Sequence, residues 1–330
     1  MPKPGALNKI TDIAGLRVGN ATDEKIKTGV TVLRCAEQFV AAVDVRGGAP
    51  GVRETDTLAP ENLVGRVDAI VLTGGSVFGL AAADGVTSAL SASGVGLKIS
   101  ENGPAIPIVP AAVLHDLGND GDKNWGGAPP YNRLGAEALA AASETFALGS
   151  LGAGRGAMAG TVKGGLGSAS LVLDDGIVVG ALVAANPVGS VFMPDGKTFY
   201  AWPWEQDGEF GNRPPPTERD VVGPVPPLSR LMQNAKPGAN TTIAIVATSA
   251  ALTGVEAKRV AMMAHDGIAR AVRPAHTPLD GDIVFAVSTG KDLIEGGPPE
   301  RRPMALAAIG AAAADCLARA SARAVYEAEG

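Results

Sequence analysis

Aromatic residues make up only 4% of this chain, while glycine occupies 44 of its 330 positions, and that imbalance governs what it can build. A core of this size has to be filled by Ala, Val, Leu and Gly, and reaching native packing density without large rings requires the backbones of neighbouring elements to come close together. Tightly stacked layers are expected. Hydrophobic residues are 46% and charged residues 19%, enough apolar surface to offset chain entropy and exclude global disorder. The glycines follow no G-X-Y period, which excludes collagen. With no internal repeat, residues 1–330 are read as a single domain.

Lys and Arg number 28 against 34 Asp and Glu, a formal charge of -6. No basic run exists of the kind that neutralises phosphates, so nucleic acid is not an expected partner. The first twenty residues lack the apolar stretch of a secretory signal, and no 18 uninterrupted apolar residues occur, so a cytoplasmic protein without a membrane partner is expected. Cys35 and Cys316 fit neither a metal-ligand spacing nor a disulfide framework and read as buried free thiols.

Strand signals come early: Val30 to Leu33, then Phe39 to Val45, halted by the turn Arg46 to Gly51. Ala69 to Leu72 is a continuous apolar run followed by Thr73-Gly74-Gly75-Ser76 and a helical stretch from Phe78 to about Ala92, one β-turn-α unit. Ala169 to Leu173 and Ile177 to Ala185, joined by Asp174-Asp175-Gly176, read as a hairpin. Six prolines between Pro214 and Pro227 mark a mobile linker, about 206–239. Regular structure resumes with Thr242 to Ala247 as a central strand, a helix stopped by Pro274, the strand Ile283 to Val287, and a long Ala-rich helix from Pro303 to Tyr326. Strands and helices without strict βαβ alternation indicate a layered α/β (α+β) protein.

Several motifs invite chemistry. Gly154 to Ala159 matches a relaxed dinucleotide pattern, with Asp174 placed where a ribose carboxylate would stand, but the chain runs on into Lys163-Gly164-Gly165-Leu166-Gly167, which cannot hold the helix that a pyrophosphate needs. Gly74-Gly75-Ser76-Val77-Phe78 misses the nucleophile elbow because Phe78 stands where glycine is required. His115, His265 and His276 offer no zinc spacing. The remaining feature is Asn240-Thr241-Thr242, where a Pro-rich stretch runs straight into a core strand. A threonine hydroxyl at such a border can attack the preceding carbonyl, and the amine freed by an N-to-O acyl shift can then serve as base for that hydroxyl.

Stretches in order along nearly the whole chain carry a family likeness. They include Ile10 to Ile13, Val18 to Asp23, Arg46 to Gly51, Leu72 to Ser76, Pro107 to Pro110, Asn240 to Thr242, Met262 to Gly267 and His276 to Asp282. Together they resemble the self-processing aminopeptidases, a family containing L-aminopeptidase/D-amidase/D-esterases, β-aminopeptidases and nylon-oligomer (6-aminohexanoate oligomer) hydrolases. The resemblance implies a four-layer αββα sandwich like that of N-terminal-nucleophile hydrolases, with its own connectivity. It also implies one cut, giving a large chain 1–240 and a small chain 241–330 that stay together as a homotetramer of cleaved protomers.

Carried over by resemblance, the cut falls between Asn240 and Thr241, and Thr241 is the nucleophile. Lys163 is the active-site cation, Asn186 the oxyanion donor, and Asp280 and Asp282 the paired carboxylates that orient Lys163 and the new ammonium. His115 stands where the nylon-oligomer branch has a tyrosine near the nucleophile, and is expected to touch substrate. The implied activity is hydrolysis of short peptides or 6-aminohexanoate oligomers without metal or organic cofactor. Two rivals remain open at this stage: acetyl transfer of the ornithine acetyltransferase kind, and an uncleaved ligand-binding protein.

Overall fold

Runs of small β-favouring residues bounded by glycine turns become strands, which among the described residues form a nine-stranded mixed sheet and a separate two-stranded one, and the Ala-rich amphipathic stretches become helices laid on the larger sheet. A computed structural model describes residues 2–215, 223–233, 240–292 and 301–329. The strands are β1 (Leu16–Asp23), β2 (Thr28–Val45), β3 (Val52–Arg53), β4 (Arg66–Thr73), β5 (Ala111–Val113), β6 (Met158–Ala159), β7 (Val162–Lys163), β8 (Gly165–Val172), β9 (Val178–Asn186), β10 (Thr241–Ala250) and β11 (Ile283–Asp292). The helices are α1 (Ala82–Ala92), α2 (Tyr131–Ala140), α3 (Gly254–Ala271) and α4 (Arg301–Glu329).

The two early strand segments are a single strand. Residues 34–38 contain no Gly or Pro to break the run, so β2 continues for 18 residues, with a register irregularity between Arg34 and Phe39. Its first half pairs with β1 and β4 and its last half with β11. One strand thus belongs to both layers of the sandwich. Along the rest of the sheet the order is β11-β10-β9-β8, with β10 parallel to β11 and antiparallel to β9.

Alternation along these strands divides the core. Ile243, Ile245, Ile283, Phe285, Leu182 and Ala184 meet Leu33, Ile70 and Leu72 between the two sheet layers. Residues of opposite parity, such as Ala244, Val246, Val183 and Val284, pack against α3 and α4. On the far side Val30, Val32 and Val71 pack against α1 and α2. The result is the αββα order that the family resemblance implies.

Close approach is visible where α4 crosses β8. A Cβ built on Gly167 would lie 1.9 Å from the carbonyl oxygen of Ala320, a backbone atom that cannot yield unless the helix moves. We expect Gly167→Val to destabilise the protein by about 3 kcal/mol or more, because overpacking here strains backbone rather than a side-chain tip. A thermal melt of the soluble variant checks this, and an unchanged Tm would show that α4 is not seated as described.

By length and composition α4 could also cross a membrane, but it carries two buried guanidinium groups into the core. Arg319 is fully buried and pairs with Glu209 (Nε–Oε1 2.5 Å), with Arg323 3.8 Å away. Glu209 and the buried Phe210 belong to the stretch expected as a linker. That stretch is therefore anchored at 205–215 and again at Ser229 and Arg230, while 216–222 and 234–239 lie outside the described residues.

Candidate active site

Strand β10 begins at Thr241, directly opposite Asn186 at the end of β9. Thr241 shares the parity of Ile243, and Asn186 that of Ala184, so both side chains face the space between the layers. The Thr241 hydroxyl donates to the carbonyl oxygen of the preceding residue, Asn240, at 2.5 Å. The Gly281 N–H donates to the same carbonyl at 2.9 Å. A Cβ at position 281 would stand 2.8 Å from Thr241 Oγ1 and 2.6 Å from the Ala49 oxygen. Only glycine lets this turn lie so close.

Asn186 is held in one orientation. Its Oδ1 accepts from the Met158 N–H (2.9 Å) and from Arg230 (3.4 Å), which leaves Nδ2 as the donating end, 3.4 Å from the His115 carbonyl. Arg230 also binds the carbonyls of Met158 (2.8 Å), Asn186 (3.0 Å) and Pro187 (2.8 Å). Burial draws its pKa down to about 10.

The two aspartates are buried and separately engaged. Asp280 accepts from the Val188 N–H (3.0 Å), the Thr277 N–H (3.1 Å) and the Thr277 hydroxyl (2.7 Å). Burial, and then the charge of Asp282, raise its pKa. Asp282 accepts from the Thr242 N–H (2.7 Å) and, on its other oxygen, from the N–H (3.0 Å) and ring Nδ1 (2.9 Å) of His276. Neither carboxylate touches Lys163. That lysine sits on β7 with its side chain exposed, within electrostatic range of Glu24. The structure thus gathers Thr241, Asn186, Asp280 and Asp282, and leaves Lys163 outside the cluster in the uncut chain.

A cleft of about 400 Å³ opens on Thr241 between Pro50, Val77, Leu80, Val113 and Leu114, with half-buried His115 on its wall. Beside it Asp116 accepts from Thr28 (2.6 Å) and from the Gly75 N–H (2.8 Å), and burial raises its pKa. These bonds fix the Gly74-Gly75-Ser76 turn. Ser76 has a left-handed backbone (φ +51) and leads a 3-10 turn, Ser76–Ala81, whose N-terminus no side chain caps. His265 is buried away from Thr241, donates from Nε2 to the Asp44 carbonyl (3.0 Å), and is held neutral by burial, its pKa lowered to about 4. Among the described residues no group of three or more His, Cys, Asp or Glu is placed to hold a metal ion.

The sequence profile of peptidase family S58 matches residues 8–330. The chain belongs to peptidase family S58. An uncharacterised aminopeptidase of Mycobacterium tuberculosis is 44% identical over 330 aligned positions, covering 95% of this chain and 92% of that one. A 6-aminohexanoate-oligomer endohydrolase of Kocuria sp. is 31% identical, covering 93% and 82%. Among solved structures, a β-aminopeptidase of Burkholderia sp. matches with TM-score 0.70 at 25% identity, covering 98% of this chain and 88% of that one. The L-aminopeptidase D-Ala-esterase/amidase of Ochrobactrum anthropi, described as a variant of the Ntn-hydrolase fold, matches at TM-score 0.69 and 22% identity, covering 98% and 86%, and supports the fold. This S58 chain is an autoprocessed amide hydrolase of the N-terminal-nucleophile class.

Three participants in the S58 site escape a reading of motifs. Arg230 lies in the Pro-rich stretch, where no periodicity marks it. Gly281 acts through its backbone. His276 stands in a stretch that carries the family likeness, yet nothing in its spacing says that its ring meets Asp282.

Proposed function

We propose that Thr241 is the nucleophile, that the self-cut falls between Asn240 and Thr241, and that the mature enzyme hydrolyses short linear amides. The observation that supports this most is the Thr241 hydroxyl lying 2.5 Å from the carbonyl oxygen of Asn240. In maturation Oγ1 bonds to the Asn240 carbonyl carbon while Gly281 N–H takes the growing negative charge on its oxygen. The C–N bond then breaks, the hydroxyl proton ends on the new amine, and water splits the ester.

In turnover the amine, with an unperturbed pKa of about 7.7–8.0, removes the hydroxyl proton. Oγ1 attacks the substrate carbonyl in the cleft while Asn186 Nδ2 donates to the oxyanion; the C–N bond then breaks, the α-ammonium passes its proton to the leaving amine, and water splits the acyl ester to restore Thr241. Asp280 and Asp282 hold the segments that carry the two groups. For Lys163, the support is the family resemblance rather than a contact.

The cleft is walled by apolar side chains, with no carboxylate, ammonium or guanidinium among its described lining residues. It suits acyl chains rich in methylene or methyl groups, such as those of small apolar peptides or 6-aminohexanoate oligomers, with His115 against the chain. Cytoplasmic location and a homotetramer of cut protomers complete the reading.

Intact mass under denaturing conditions tests it. Expected are chains of 240 and 90 residues, about 24 and 9 kDa, since the amine appears only when the bond is cut. The small chain should begin Thr-Thr-Ile. A different N-terminus would refute Thr241, and a panel of aminoacyl, β-aminoacyl and 6-aminohexanoyl amides then ranks substrates.

A further inference from the structure

Consecutive residues grip the two carboxylates in the same way. Thr277 gives Asp280 its N–H and its hydroxyl, and His276 gives Asp282 its N–H and its ring Nδ1. The remaining oxygen of each aspartate reaches a functional segment: Asp280 the Val188 N–H, two residues past Asn186 at the end of β9, and Asp282 the Thr242 N–H, next to Thr241 on β10. One short loop therefore ties down both the oxyanion-donor segment and the nucleophile strand.

The His276 half of this grip carries marks of a special position. Its backbone is left-handed (φ +55), a region few non-glycine residues occupy and one that costs on the order of 1–2 kcal/mol. Its Nε2 is buried without a hydrogen-bond partner among the described residues. Its ring meets that of His265 edge-on, centroids 4.8 Å apart. Packing alone would be served by an apolar ring, without burying a nitrogen that has no partner. What imidazole adds is a donor at Nδ1, aimed at a carboxylate that is itself almost wholly buried, where each oxygen left without a hydrogen bond is costly.

We propose that His276 is a positioning residue for catalysis: its Nδ1–H holds the Asp282 carboxylate against the Thr242 N–H and so fixes Thr241 for attack. The inference rests on the reading of Thr241 as nucleophile. It extends to both reactions of Thr241, because self-cleavage and turnover use the same hydroxyl. A misplacement of about an ångström can cost about 100-fold in rate without a comparable loss of binding.

The test compares His276→Asn with His276→Ala. Both lose the ring packed on His265, but asparagine keeps a nitrogen donor close to the place of Nδ1 and tolerates a left-handed backbone. Expected for His276→Ala is self-cleavage slowed about 10- to 100-fold, and kcat per cut protomer lowered by a similar factor with KM within about threefold of wild type. His276→Asn should stay within about fivefold of wild type in both. Equal impairment of the two variants would assign His276 to packing, and full activity in His276→Ala would remove it from the mechanism. Should His276→Ala be insoluble, His276→Phe serves as the donorless variant, since it retains a ring against His265. If Thr241→Ala were still cut and active, the nucleophile assignment would fail instead, so the two failures are distinct.

Discussion

Thr241→Ala is expected to remain a single chain of 33.1 kDa through incubation that cuts the wild type completely, and to hydrolyse no amide. Two separate losses converge on this residue. The attacking oxygen is gone, so the Asn240 carbonyl keeps its Gly281 hydrogen bond but meets no nucleophile. With no cut there is also no α-amine, so the base for turnover never forms. Activity should fall by a factor on the order of 10⁴ or more, as when the nucleophile of a hydrolase is deleted. Folding should survive, because the side chain removed is small and its hydrogen bond is to its own neighbour. Mass spectrometry and a thermal melt on one sample decide the matter: a folded Thr241→Ala chain that still cuts at this bond would overturn the assignment. Thr241→Ser should still cut, because a hydroxyl remains in reach.

Asn186→Ala is expected to divide maturation from turnover. In the uncut chain the scissile carbonyl already has a donor in Gly281, so self-cleavage should proceed at a rate within about tenfold of wild type. In the mature enzyme the oxyanion of a bound substrate loses the Asn186 Nδ2 donor, and kcat should drop by about 10²–10³-fold with a smaller change in KM. Steady-state kinetics on protein shown to be fully cut would reveal it. Normal turnover in that sample would reduce Asn186 to a residue that ends β9 and orients Arg230.

How much of this was open to a reader of the sequence differs from element to element. The central strand β10 is legible because Thr242 to Ala247 is apolar almost throughout, as a strand buried on both faces must be. The β8–β9 hairpin is legible from Asp174-Asp175-Gly176. The continuity of β2 is not, since Ala36, Glu37 and Gln38 interrupt the apolar pattern where the strand passes from one layer to the other. At the site, family motifs point to Thr241 and Asn186, and their juxtaposition is a matter of register that only the pairing of β9 with β10 supplies. Asp280 and Asp282 are legible as a pair, but their partners are not. Two carboxylates spaced i and i+2 suggest a shared target, whereas a local turn gives each its own set of donors. Arg230 is the hardest case, a buried guanidinium in a stretch whose composition reads as linker.

The placement of β10 between β9 and β11, and of β11 beside β2, has a consequence for the life of the enzyme after its cut. If the cut falls where proposed, the first strand of the small chain, β10, stays hydrogen-bonded to the large chain from Thr241 to Thr248, and its second strand, β11, is bonded to the large chain through β2. Departure would mean tearing the sheet at two seams and stripping α3 and α4 from their core, so the nicked molecule persists as one body. Its route back from the unfolded state is another matter. An uncut chain regains this sheet within one molecule, while separated fragments must first find each other, making recovery second order in protein and open to competing aggregation. Self-cleavage thus exchanges a refoldable precursor for an enzyme whose endurance is set by how slowly it comes apart.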